Sequence, residues 1–194
     1  MSKTLLLLAN GFEAVEASVF TDVLGWNKWE GDGSTEVVTV GLHEELQCTW
    51  NFKVKPEKLL HEVTLEDFDA LAIPGGFEEA GFYVDAFSED FQAVVHHFDA
   101  QKKPIATICV ASLILGHSGI LKNKQAITYN HPTSKRLTQL ASYDAVIMNE
   151  RIVQTGHIVT SSNPGTAFDV AFRLLEILTT VTNTQKVKRL MGFQ

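Results

Sequence analysis

The chain has 194 residues, of which 45% are hydrophobic and 20% charged, enough for one domain with a sizeable core and ordinary for a soluble globular protein. A formal net charge of −7 argues against nucleic-acid binding as a main role, because neutralising phosphates takes a basic face. No apolar run approaches the roughly 18 residues of a membrane span, and Leu5 to Leu8 is too short even for the core of a secretion signal.

These exclusions set further expectations. The chain reads as a single domain over residues 1–194, cytoplasmic, with no membrane and no nucleic-acid partner. Cys48 and Cys109 are then reduced thiols, not a disulfide. There is no Cys-x-x-Cys, His-Glu-x-x-His or calcium-loop pattern, and adjacent His96 and His97 point in different directions on a helix, so neither a metal nor another cofactor is expected. The basic cluster Lys186, Lys188 and Arg189 suits a solvated helix C-terminus.

In chain order, Thr4 to Ala9 is a continuous apolar run, the mark of a strand covered on both faces. Glu13 to Trp29 carries Val15, Val19, Phe20, Val23 and Trp26 at helical spacing, with Glu13 and Glu16 in the first turn, where acids complement the helix dipole and face solvent. Gly31 to Ser34 is a turn, Glu36 to Val40 a strand, and Leu46 to Val54 one or two short strands. Ala70 to Ile73 is a strand stopped by Pro74-Gly75-Gly76, and Ser88 to Gln101 a helix ended by Lys103-Pro104. Ile105 to Ile108 is a short strand followed by a helix over Val110 to Ser118. Ala126 to Thr128 and Ala145 to Met148 are short strands, and Ile152 to Thr155 with Ile158 to Thr160 forms a hairpin around Gly156-His157. Asn163 to Thr180 is a long amphipathic helix with Pro164 in its first turn, and a last helical piece ends near Met191.

Strands alternating with helices imply a mostly parallel sheet with helices on both faces. Ligands of such sheets bind beyond the carboxyl ends of the strands, where the Asn10-Gly11 turn, the Pro74-Gly75-Gly76 turn and Cys109 should meet. The run IATI delivers Cys109 straight into a helix, the layout of a nucleophile elbow. A helix N-terminus favours a thiolate and lowers such a thiol from about 8.5 into the range ~3.5–7.5. The competing reading is a buried, inert core cysteine. The N–H groups of Gly75, Gly76 and Val110 are candidates for an oxyanion site; the plainer reading of the glycines is a tight turn.

At these residues the chain resembles the ThiJ/PfpI superfamily, which has the fold of class I glutamine amidotransferases, and within it the parkinsonism-associated deglycase and glyoxalase subgroup. The carriers are LLLLANGFEAVEA, ALAIPGGFE, PIATICVAS, YNHPTS and IVTSSNPGTAFDVAFRLLE, in that order along nearly the whole chain. The resemblance implies a flavodoxin-like three-layer α/β sandwich, a homodimer, Cys109 as the reactive thiol, Glu16 hydrogen-bonded to it, and His131 near by. It implies a pocket that includes Asn130 and Pro164. A carboxyl kept protonated beside a thiolate stabilises the anion, and such a pair can add to an aldehyde and shuttle a proton. His131, a loop histidine before proline, has the alternative role of shaping its loop.

The sequence also departs from the family. Val110 stands where the protease-like branch has a histidine after the cysteine, so that dyad is absent. Ser112 is either a hydroxyl near the thiol or a helix cap. Trp26 and Trp50 stand where the subgroup has pocket arginines, which implies a pocket for neutral or aromatic ligands, and Cys48 matches a structural position near the dimer interface. Three functions follow from these readings: a cofactor-free cysteine enzyme acting on a small aldehyde or glycated adduct; a thiol redox sensor or chaperone-like stress protein; and an amidase or protease, weakened by Val110.

Overall fold

The computed structural model describes residues 1–193. Its centre is a seven-stranded sheet in the order β10-β11-β7-β6-β1-β2-β5. The strands are β1 (Ser2–Leu8), β2 (Thr35–Gly41), β3 (Leu46–Gln47), β4 (Lys53–Val54), β5 (Lys58–Leu59), β6 (Ala70–Ile73), β7 (Ile105–Thr107), β8 (Gln125–Ala126), β9 (Val146–Ile147), β10 (Ile152–Thr155) and β11 (Ile158–Ser161). All pairs in the large sheet are parallel except the hairpin β10–β11. Beside it, β3 pairs with β4 antiparallel and β8 with β9 parallel. The helices are α1 (Ala14–Glu30), α2 (Phe82–Ala86), α3 (Glu89–Ala100), α4 (Ser112–His117), α5 (Arg136–Ala141), α6 (Ala167–Leu178) and α7 (Val181–Leu190).

The layering follows from connection handedness. The β1-α1-β2 unit runs toward β5, whereas β6-α3-β7 runs toward β10. Right-handed crossovers in opposite directions place α1 and α3 on opposite faces. The fold is therefore the expected flavodoxin-like sandwich, with α6 and α7 packed beside α1. Leu5, Leu6, Leu7 and Leu8 are at most 1% exposed, as a strand covered on both sides requires. The sheet changes winding direction between β1 and β6, and the crevice at that switch is where such folds place ligands.

Several elements differ from the sequence reading. The helix expected over Val110 to Ser118 opens as a 3-10 turn over Cys109–Ala111 and continues as the six-residue α4. Pro164–Thr166 is also a 3-10 turn, so α6 starts at Ala167. It stops at Leu178, because Thr180 accepts a bond from Asn183 N–H as the cap of α7. The edge strand β5 and the one-turn helices α2 and α5 lack the length to show a period and escape a pattern-based reading.

Candidate functional site

Cys109 sits at the carboxyl end of β7 with φ +55°, the left-handed region that a side chain enters only when its surroundings hold it there. Those surroundings are visible. Ile108 N–H donates to Ile73 O at 3.2 Å, Ala111 N–H to Ile108 O at 3.0 Å, and Thr128 Oγ1 to Cys109 O at 3.0 Å. The turn is the nucleophile elbow expected from IATIC. It aims the sulfur at the crevice instead of along the helix.

Two neighbouring strands complete the site. β1 ends in the Asn10–Glu13 turn, where Glu13 N–H donates to Gly75 O at 2.8 Å, and α1 then brings Glu16 inward. Glu16 is fully buried, and its Oε2 accepts Gly75 N–H at 2.6 Å. The other oxygen, Oε1, is buried with no protein partner when counted as an acceptor. An unpaired buried carboxylate oxygen is costly, whereas a protonated one becomes a donor. Burial first, and the adjacent Glu13 charge second, hold the Glu16 carboxyl well above the usual range, against the opposing pull of Gly75 N–H. Glu13 and the Cys109 thiol are the ionisable side chains that act on that carboxyl most closely. Two carboxyls and a sulfur are thus grouped at one place.

The thiol itself runs against the sequence reading. Burial pushes Cys109 well up, and charge on Glu16 pushes it further, while Val110 N–H pulls it down. The expected low-pKa thiolate at a helix end is not what this site provides, because Cys109 is only 6% exposed and a short 3-10 turn, not a long helix, follows it. With the Glu16 carboxyl neutral, its repulsion is replaced by a donated hydrogen bond. The pair then titrates as a unit in which one group keeps the proton for the other.

The sulfur opens into a cavity of about 370 Å³. Its lining includes the buried Glu13, Gly76 and Val110, the aromatic Phe77 and Tyr129, Pro164, and on the solvent-exposed side Glu78, Glu79 and Thr133, with Ser134 and Arg136 half-buried. Gly76 lines this space and its N–H has no partner among the described residues; Gly75 N–H is taken by Glu16 and cannot serve an oxyanion. A Cβ on Gly76 would lie 2.4 Å from Gly11 O, so only glycine fits there.

Other expected pocket residues lie elsewhere. Trp26 is ten residues past Glu16, about 15 Å further along α1, and lines a separate depression with Thr21, Asp22 and Trp29. Trp50 is exposed and packs edge-on against Phe77 at 5.1 Å, so it lies behind the cavity wall and does not line it. Ser112 neither caps α4 nor reaches the cavity; it is fully buried, its hydroxyl 3.1 Å from Thr107 Oγ1. Asn130 is half-buried and absent from the lining. His131 is exposed, its Nδ1 2.9 Å from Thr133 Oγ1 and its ring stacked on Tyr129, and it is absent from the cavity lining. Cys48 is a free, buried thiol whose N–H donates to Phe52 O at 2.7 Å.

Two site residues had no sequence signal pointing at them. Glu13 reads as a solvent-facing helix start, but the Gly75 O contact turns it inward to 9% exposure. Arg136 comes from the short α5, so the mouth does carry a guanidinium, contrary to the reading of a pocket without arginine. Among the described residues no His, Cys, Asp and Glu cluster could hold a metal ion, and no helix is long and apolar enough to cross a membrane.

Known proteins carry the same arrangement of elements. A family model described as the DJ-1/PfpI family matches residues 2–177. The protein DJ-1alpha of Drosophila melanogaster is 34% identical over 190 residues, covering 96% of this chain and 82% of that one. The crystal structure of Drosophila melanogaster DJ-1beta superposes with a TM-score of 0.85 at 26% identity over the whole of both chains. Toxoplasma gondii DJ-1 in its oxidized form gives 0.83 at 28% identity, covering 100% of this chain and 99% of that one. With a family model spanning β1 through most of α6 and a 34% identical relative matched over 96% of this chain, the chain belongs to the DJ-1/PfpI family.

Proposed function

We propose that this protein is a cofactor-free cysteine enzyme acting on small reactive carbonyls, an α-oxoaldehyde such as methylglyoxal or its adduct on a protein. The carrying observation is the protonated-type Glu16 carboxyl, with Oε1 unpartnered, beside a thiol on a left-handed elbow that opens into a cavity. Cys109 sulfur adds to the aldehyde carbon, and the thiol proton ends on the new hemithioacetal oxygen. The neutral Glu16 carboxyl first gives its proton to the ketone oxygen and, as the carboxylate, takes the proton from that carbon, leaving an enediol; it then returns a proton to the neighbouring carbon and accepts the one released by the hemithioacetal hydroxyl, giving a hydroxyacyl thioester with Glu16 neutral again. Water then releases the hydroxy acid and regenerates the thiol. Gly76 N–H is the donor best placed for the developing oxyanion. The test is lactate formation from methylglyoxal: Cys109→Ser abolishes it and Glu16→Gln reduces it at least about a hundredfold, as loss of a general acid–base does. Full activity in Cys109→Ser overturns the reading.

The redox-sensor and chaperone-like readings draw less support, since a thiol pushed up by burial is a slower target for peroxide than an exposed low-pKa one. The two free cysteines suit a reducing, cytoplasmic compartment. We also propose a homodimer. An apolar groove of about 420 Å³ between α1 and the β3–β4 hairpin is lined by Leu6, Leu8, Phe12, Val15, Phe52 and Val54, with Val15 50% and Phe52 66% exposed. Light scattering on Val15→Glu should give a monomer; an unchanged dimer would move the interface elsewhere.

A further inference from the structure

The mouth of the Cys109 cavity is built from acidic side chains that the carbonyl chemistry does not use. Glu78 and Glu79, in the 3-10 turn after Phe77, both line the opening and are exposed. Glu13 lines the space beneath them. The one cation of the lining, Arg136, is already engaged. Its Nη2 lies 2.6 Å from Glu78 Oε2, its Nη1 donates to Gln139 Oε1 at 2.9 Å, and its guanidinium rests 5.0 Å from the Tyr83 ring centre. Its charge is therefore already matched by a carboxylate, and two of its five N–H groups are in use. Phe77 and Tyr129 add ring faces, which attract cations. Behind the lining, Glu16 Oε1 is buried without an acceptor-side partner.

We propose that this mouth selects substrates by charge. It admits neutral and cationic carbonyl compounds and turns away α-oxo carboxylates and phosphorylated aldehydes. The inference rests on Cys109 being the reacting group. Glu78 and Glu79 are the specificity residues, and Arg136 is a positioning residue that holds Glu78 over the opening. Carboxylates a few ångströms from a half-enclosed entrance change the local concentration of a singly charged molecule on the order of tenfold, an effect that salt screens.

The experiment uses methanethiosulfonate reagents with one chemistry and three charges: trimethylammonioethyl, hydroxyethyl and sulfonatoethyl. In each, the thiolate attacks the sulfenyl sulfur and methanesulfinate leaves, so no carbonyl step is involved. Rates at Cys109 are followed by peptide mass, which separates Cys48, and are divided by the rates with free 2-mercaptoethanol. The cationic reagent should outpace the anionic one about tenfold at low salt. In 0.5 M salt, or in Glu78→Gln/Glu79→Gln, the ratio should fall to within about twofold of unity. Arg136→Met removes the one cation of the lining and should widen the cationic preference; an anionic reagent that speeds up in this variant overturns the proposal. An anionic reagent that is as fast as the cationic one, a ratio unmoved by salt and by the double variant, or a Cys109 that no reagent reaches in the native chain overturns it. If the tenfold ratio holds while methylglyoxal is not turned over, the carbonyl reading fails and the charge-selective mouth stands.

Discussion

Gly75→Ala tests the wedge that holds the Glu16 carboxyl in place. Gly75 φ lies outside the left-handed region, so alanine can adopt the backbone, and the change alone would stabilise by about 0.4–1 kcal/mol through the unfolded chain. Its Cβ, however, would lie 2.9 Å from Glu16 Oε2, 3.0 Å from Ile108 O and 3.1 Å from Val110 N, where 3.4 Å or more is ordinary contact. Two of those atoms are backbone at the elbow, so the carboxyl must retreat from its 2.6 Å bond to Gly75 N–H. Overpacking costs about 1–3 kcal/mol and an orphaned buried pair about 1–3 kcal/mol. The net expectation is about 2–4 kcal/mol of destabilisation in urea unfolding. Moving the neutral carboxyl away removes a donor that steadies the thiolate, so the pH profile of Cys109 alkylation by iodoacetamide shifts to higher pH. Gly25→Ala, in α1 with nothing within 4 Å of the new Cβ, is the control and should stabilise by roughly 1 kcal/mol. A Gly75→Ala protein within about 0.5 kcal/mol of the parent, with an unchanged alkylation profile, would refute the wedge.

Other expectations follow from the same geometry. Because folding raises the Glu16 carboxyl above its usual 4.5, the native state binds the extra proton, and stability is lost as pH rises from there through the folded value, by up to ~1.4 kcal/mol per pH unit. Glu16→Gln should flatten that slope in pH-dependent urea melts; an undiminished slope would assign it to other groups. Cys109→Gly should be about 1 kcal/mol more stable than Cys109→Ala, the reverse of the order in an ordinary helix or strand, since glycine relieves the φ of +55°. Ser112→Ala should cost about 1 kcal/mol for its buried bond to Thr107 and leave the thiol rate unchanged, which matched melts and alkylation rates would show. His131→Ala should change methylglyoxal turnover less than about twofold; a hundredfold loss would give it the acid–base role instead.

The parts of this molecule that were readable in advance are those where a local pattern is also the global constraint. Leu5 to Leu8 and Ala70 to Ile73 are apolar throughout because both faces of their strands are covered, and Cys109 stands at a strand end that feeds a helical segment. What failed was side-chain direction at longer range. The family position of Trp26 points to the pocket, yet along α1 it is carried turns away from Glu16. Glu13 and Glu16 look alike as first-turn acids, and only the Gly75 backbone, fifty-nine residues beyond Glu16, separates them from an ordinary solvated helix start. Arg136 enters from a single helical turn with no period of its own, positioned by its bond to Glu78 across the crevice. The thiol pKa went the other way from expectation because burial outweighs the few aligned N–H groups of a short 3-10 turn.

The thiol, the two carboxyls and the glycine turn hang from β1, β6 and β7, three adjacent strands in the middle of the sheet. Fraying of β5 or β10 at the two edges breaks no bond that fixes them. Cys109 therefore has no separate opening motion of its own beneath the cavity floor. Dissolving the elbow means parting β6 from β7, which is the cooperative melting of the whole domain. A bulky thiol reagent that cannot pass the cavity mouth would then label Cys109 only through molecules that have unfolded completely, and its rate under native conditions would report global stability in a cell extract without purification.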